Sequence, residues 1–130
     1  LRAVLEGVVY SLLDCAEVIE EMGIPVSDIS LAGGGANSKL WTQMMSDAFG
    51  KTMFKPNSSE SGALGVALLA GVASGLYSDV ASAAETVVIK TISNKPDMKL
   101  HDIYKGYFDL YKNIYLSLKA DFKTLAGLDK

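Results

Sequence analysis

The chain is poor in the residues that usually carry chemistry or cross-links: one cysteine (Cys15), one histidine (His101) and three prolines among 130 residues. A single cysteine excludes an intrachain disulfide. On a helix, Cys15 reads as a small, inert packing residue of a reducing, cytoplasmic compartment. With one cysteine and one histidine there is no Cys/His cluster of metal-binding spacing, so no metal site is expected in this chain. Positive charge is not in excess either. A net charge of −3 argues against nucleic acid, whose binders concentrate Lys and Arg on one face. After Ala84, Lys90, Lys95, Lys99, Lys105, Lys112, Lys119, Lys123 and Lys130 are spread among acids and read as a solvated face. No apolar run is long enough to span a bilayer, because the stretch from Ala63 to Leu76 is broken by Gly65, Gly71, Ser74 and Gly75. The opening residues do not read as a secretory leader. What remains is ordinary globular composition, 49% hydrophobic and 21% charged, in a length that suits one domain with a real core.

Against that plain background stand three consecutive glycines, Gly33, Gly34 and Gly35. They follow a short apolar run, Ile29 to Ala32, and lead through Ala36-Asn37-Ser38 into an amphipathic helix. Bare backbone between a strand and a helix start is what a phosphate or nucleoside needs at close quarters. Without Cβ atoms the main chain can take positive φ and come within hydrogen-bonding distance of a ligand. The helix behind it aims unsatisfied N–H groups and partial positive charge at the same spot.

The rest of the chain supplies a scaffold. Residues 1 to 22 predict a helix whose stripe runs Leu1, Val4, Leu5, Val8, Val9, Leu12, Leu13, Ala16, Ile19, Met22. Gly23 and Pro25 end it. Leu1 is already in register with no N-cap before it, so the chain reads as a fragment cut inside or just before a helix. Ile29 to Ala32 predicts a strand, and 38 to 49 a helix with Leu40, Trp41, Met44, Met45, Ala48 and Phe49 inward, stopped at Gly50. Lys51 to Lys55 predicts a second strand, ended by Pro56-Asn57. Together these make a βαβ unit with parallel strands.

Glu60 to Tyr77 predicts a helix apolar on most sides, buried by neighbours on more than one face. Its glycines 62, 65, 71 and 75 each cost about 0.5–1 kcal/mol against alanine, which implies close approach of other backbone or of ligand. Ser58-Ser59-Glu60-Ser61 is expected to cap it and to lie beside the glycine loop at the carboxyl end of the parallel pair, where α/β sheets bind ligands. Asp79 is expected to cap a short helix to Val88. Residues 89 to 99, with Asn94-Lys95-Pro96, read as a loop. His101 reads as a surface residue. A last helix, about 100 to 121, repeats Tyr104, Tyr107, Phe108, Tyr111, Tyr115, Leu118 and Phe122, an aromatic stripe that docks it onto the domain.

The glycines do not fit two common phosphate motifs. A dinucleotide fingerprint needs a glycine where Ser38 stands and an acid near Pro56-Asn57. A P-loop needs G-K-[ST] after its last glycine, where this chain has Ala36. A flexible turn with no ligand stays open as the alternative on these residues alone.

The run Leu31 to Trp41, continuing through Gln43-Met44 and Asp47 to Gly50, resembles the nucleotide-side motif of the FGGY carbohydrate kinases. Glu60-Ser61-Gly62-Ala63-Leu64-Gly65-Val66-Ala67 is similar to that family's following small-residue helix. The tyrosine-bearing last helix is similar to the end of its xylulokinase-like members. The resemblance implies an α/β fold belonging to an actin/hexokinase-like (ribonuclease H-like) ATPase domain, helix-rich around a small parallel βαβ core. It implies that residues 1–130 are the nucleotide-binding half of the second kinase domain, with a core of about 1–77 and a helical extension of about 78–130. The implied parent transfers the ATP γ-phosphate, with Mg²⁺, to a sugar hydroxyl, a ketopentose such as xylulose. Gly33, Gly34, Gly35, Ala36, Asn37, Ser38 and Lys39 would be the nucleotide-binding residues. Gly34 and Gly35 would offer N–H groups near the α-phosphate, and Ala36 to Lys39 would flank the nucleoside. The catalytic base and most of the sugar site would lie outside this chain, leaving the isolated fragment inactive and, through its uncovered apolar surface, a homo-oligomer. A non-kinase actin-like ATPase and a helical interaction module with an empty glycine loop remain the alternatives.

Overall fold

A computed structural model describes every residue except Ser59, Asp129 and Lys130. The contribution of Ser59 to the expected cap and the place of Lys130 among the surface charges lie outside the described residues. Helix α1 spans Arg2–Glu21 and ends where the sequence places its stop. Gly23 takes φ 81°, its N–H reaches the Glu20 carbonyl and that of Ile24 reaches Ile19, the left-handed ending that glycine permits. Strand β1 is only Ile29–Ser30, shorter than expected, although the Leu31 N–H still donates to the Phe54 carbonyl at 2.8 Å. Helix α2 (Lys39–Phe49), strand β2 (Met53–Pro56), helix α3 (Ser61–Ala73) and helix α4 (Val80–Val87) follow. β1 and β2 are parallel, Ile29 opposite Met53 and Ser30 opposite Phe54, so the βαβ unit forms as read.

The stretch expected to be a loop contains strand β3, Lys90–Asn94. It runs antiparallel to β2, with Lys55 opposite Thr91 and an irregularity between Met53 and Phe54. The sheet is therefore mixed, in the order β1-β2-β3. Asn57 fastens its far end: its side chain donates to the Val87 carbonyl and accepts from the Ile89 N–H. Pro56 is tolerated because it is the last residue of β2, where a missing N–H matters least.

Helix α5 is longer than expected, Met98–Leu128. Its first turns meet α1 and α2 around a core of Val9, Tyr10, Leu31, Met44, Met45, Ala48, Met53, Tyr104 and Phe108. Tyr10 lies 6.2 Å from Tyr104, 6.1 Å from Phe108 and 5.5 Å from Tyr111 between ring centroids. Burial, and then the Glu6 carboxylate, push the Tyr10 phenol up to about 12. The aromatic stripe docks only through its upper half. Tyr107 and Tyr115 are more than half exposed.

Four other expectations about side-chain placement change. Leu40 is exposed, because it lies in the first turn of α2, ahead of the stretch that neighbours enclose, Thr42, Met44, Met45, Ser46, Asp47 and Ala48. Cys15 is exposed on α1 rather than packed. His101 is part-buried, and its Nδ1 lies 3.1 Å from the carbonyls of both Asp47 and Ala48. Two carbonyls can only accept, so the ring nitrogen donates and closes the C-terminus of α2. α3 is not buried on several faces: only Leu68 and Gly71 are buried. A methyl group at Gly71 would meet the Tyr77 ring, whereas one at Gly62 or Gly65 would find no neighbouring element within 4 Å.

Candidate functional site

The glycine loop is a 3-10 turn, Gly34–Asn37, entered through Gly33 and left through Ser38. Each glycine is there for a different reason. Gly33 has φ 78°, a backbone state that L side chains rarely adopt. Gly35 lies under the indole of Trp41, where a methyl group would stand 1.9 Å from Cζ3. Gly34 has neither constraint: its φ is not positive and nothing lies within 4 Å of the place a Cβ would take. Its bareness serves no contact among the described residues.

The turn uses part of its own hydrogen-bonding capacity. The Ala36 N–H donates to the Gly33 carbonyl and the Ser38 N–H to the Gly35 carbonyl, both at 3.1 Å. The leading amides of a 3-10 turn have no carbonyl behind them within the turn, and those of Gly34 and Gly35 have no hydrogen-bond partner among the described residues. Ser38 is the N-cap of α2, its Oγ accepting from the Trp41 N–H at 3.3 Å. Its hydroxyl is thus engaged in holding the helix. Lys39 opens α2 and is exposed.

Beside the turn lies a cleft of about 150 Å³ lined by Leu31, Ala32, Gly33, Ala36, Asn37, Lys55, Pro56 and Ser58. Of the seven residues singled out from sequence, Gly33, Ala36 and Asn37 line it, and Gly34, Gly35, Ser38 and Lys39 do not. The expected neighbour across the cleft is present in Ser58, whose Oγ accepts from the Glu60 N–H at 3.2 Å. Glu60, the N-cap of α3, makes no capping bond through its own side chain. Lys55 was not foreseen. Continuing the parallel register past Ser30 and Phe54 sets Lys55 alongside Leu31, and that register is not written in either strand alone. The cleft is smaller than the roughly 300–1,000 Å³ of sites that enclose a small molecule.

A larger hollow of about 230 Å³ lies at the other end of α2, between α1 and α5. Its acids are already paired, Glu20 with Lys51 at 2.7 Å and Glu17 with Lys112 at 3.1 Å. It has no bare backbone and no helix N-terminus among its lining residues, so the glycine cleft is the better candidate. Among the described residues no three His, Cys, Asp or Glu side chains converge on a point where a metal could sit. No described helix is long and apolar enough to cross a membrane.

Residues 1–74, from α1 through the end of α3, match the C-terminal domain of the FGGY family of carbohydrate kinases. The chain belongs to that family. It is 35% identical over 119 residues to a xylulose kinase of Bacillus subtilis, covering 92% of this chain and 24% of that protein. It is 30% identical over 120 residues to an L-xylulose/3-keto-L-gulonate kinase of Escherichia coli, covering 92% of this chain and 24% of the relative. In three dimensions it superposes on a gluconate kinase from Lactobacillus acidophilus with a TM-score of 0.83 at 27% identity, over 95% of this chain and 25% of the other. The fold is therefore the actin/hexokinase-like one of the FGGY kinases, here with a small mixed sheet rather than a purely parallel one. The chain spans about a quarter of the length of these relatives.

Proposed function

We propose that this FGGY chain is the nucleotide-binding portion of an ATP-dependent sugar kinase, its glycine turn set against the phosphates of ATP or ADP. The observation that carries this reading is Gly34, which stays bare without any structural need for it at the tip of a turn backed by a helix N-terminus. Gly33, Gly34 and Gly35 present backbone N–H groups to the phosphates. Lys55 supplies the positive charge across the cleft, and Ser58 a hydroxyl. Ala36, Asn37, Ser38 and Lys39 flank the nucleoside. Names of the relatives favour xylulose or a related ketopentose as the acceptor. The cleft being only one wall, the remaining contacts come from the parent.

Phosphoryl transfer needs an orienting base, Mg²⁺ and clamps on the β- and γ-phosphates. The described residues do not form a magnesium cage, and none is placed as a base. We assign those groups, with most of the sugar site, to the remainder of a cytoplasmic parent about four times as long. Mg²⁺ would there neutralise phosphate charge. The isolated chain accordingly binds nucleotide weakly and turns over nothing. Adding ADP to the ¹⁵N-labelled chain is expected to move the amide signals of Gly33 to Lys39, and Gly34→Ala to abolish that response while leaving the fold intact. Unmoved signals at millimolar ADP, or sugar-dependent ATP turnover by this chain alone, would overturn the reading.

A further inference from the structure

The nucleotide reading accounts for Gly34, but Gly35 answers to a different partner. The six-membered ring of Trp41 lies directly on its backbone, so that a methyl group at Gly35 would also fall 2.6 Å from Cε3. Trp41 packs against the core on its other side. Its backbone N–H is the one that Ser38 caps. The indole Nε1, although buried, has no hydrogen-bond partner among the described residues. An unpaired buried donor is costly, and here it shows that no hydrogen bond orients the ring. Packing alone does, with the core on one side and the bare backbone of residue 35 on the other. The turn and the indole therefore share one interlocked geometry. The ring cannot lie there if residue 35 has a side chain, and without the ring the backbone of residue 35 loses the surface it rests on, leaving Ala36 as the turn's contact with the core.

We propose that Trp41 is the positioning residue of the glycine turn: its indole is the floor that holds Gly34 and its amide outward toward the phosphate. This rests on the nucleotide reading of the turn for its purpose, but not for its geometry. Trp41 touches no ligand in this arrangement and acts through Gly35. As the chain's sole tryptophan, it also serves as an optical reporter on the turn.

A double-mutant cycle between Gly35→Ala and Trp41→Leu tests the interlock. The readouts are hydrogen exchange and amide shifts of residues 34–38 without ligand, and the ADP dissociation constant. Each single variant is expected to raise exchange at the Ser38 amide and to weaken ADP about tenfold. In the Trp41→Leu background, Gly35→Ala should add less than twofold, because the ring it collides with has gone. Trp41→Phe, a smaller ring that forfeits no hydrogen bond, should fall between the wild type and the leucine variant. It replaces Trp41→Leu in the cycle if the latter does not fold. ADP should change the emission of Trp41 in the wild type and not in Gly34→Ala. Equal harm from Gly35→Ala with and without the indole would overturn the proposal, as would turn amides unmoved by Trp41→Leu. If wild-type turn amides ignore ADP altogether, the nucleotide reading falls, and the exchange cycle still decides whether Trp41 sets the turn.

Discussion

Helices α2 and α3 stand on either side of β2 in the sequence, and their burial runs against their composition. α2 contains Lys39 and Asp47, yet it buries six of its eleven residues, Asp47 among them. α3 has no charged residue in thirteen, yet it buries two and leaves Val66 and Leu69 at 67% and 58% exposed. Hydrophobicity makes burial favourable, but neighbours make it possible. α2 is enclosed because α1, α5 and the sheet all converge on it. The polar residues it buries are provided for: one Asp47 oxygen accepts from the Gln43 side chain at 2.7 Å and from the Asp97 N–H at 2.8 Å. Gln43 in turn donates to the Lys95 carbonyl and accepts from Asn94. This network locks the start of α5 onto α2, while the opposite end of α2 carries the glycine turn. α3 meets α4 and otherwise presents its apolar side chains outward.

The comparison breaks most visibly at Asp47. Asp47→Ala removes the acceptor for two donors at a site 3% exposed, with an expected loss of about 3 kcal/mol. In a chain of this size that lowers the melting temperature by roughly 10 °C. Thermal unfolding followed by circular dichroism measures it. A loss below about 1 kcal/mol would mean that water replaces the carboxylate without strain, and that the enclosure of α2 is looser than its geometry states.

A smaller effect is expected at the same helix end. His101→Ala withdraws the ring N–H shared by the Asp47 and Ala48 carbonyls, and those acceptors regain water only in part. About 1 kcal/mol is expected from urea denaturation. The ring also closes over Gly50, where a methyl group would sit 2.7 Å from its Cε1. Gly50 itself needs its left-handed φ of 62°, so Gly50→Ala should cost more than His101→Ala. The reverse order would place the energetic weight on the histidine instead of on the backbone.

These residues also mark where sequence reading stops. The glycine turn and the ends of α1 and α2 were legible because each depends on residues within a few positions of one another, and the βαβ unit because the order strand, helix, strand admits one favoured crossover. β3 was not legible. Lys90, Thr91 and Ser93 give it little apolar alternation, and it is held by the ladder to β2 and by Asn57, over thirty residues away. Asp47 looked like any helical aspartate, and His101 like any exposed histidine, because the backbone groups they meet, the Asp97 N–H for one and the Asp47 and Ala48 carbonyls for the other, lie 50 or more residues away. Lys55 joined the candidate site through strand register, a relation between two segments that neither encodes. Leu40 was misplaced because it has the right spacing but lies in the first turn of α2, ahead of the stretch that α1, α5 and the sheet enclose.

The exposed side of α3 offers the mildest and most discriminating test. Exchanging Val66 and Leu69 for glutamine removes apolar surface that contacts water already, so stability should stay within about 0.5 kcal/mol of the wild type. Association should respond more strongly. Contiguous apolar faces of this kind drive self-association in water, and the chain is expected to exceed a monomer's mass by light scattering at high concentration. Val66→Gln with Leu69→Gln should return it toward the monomer. A wild type that stays monomeric throughout would show that glycine-rich, small-residue faces such as Gly62–Gly65 are too flat and weakly apolar to hold a partner. A double variant that melts early would show instead that α3 already has a cover, and that its contrast with α2 is one of degree.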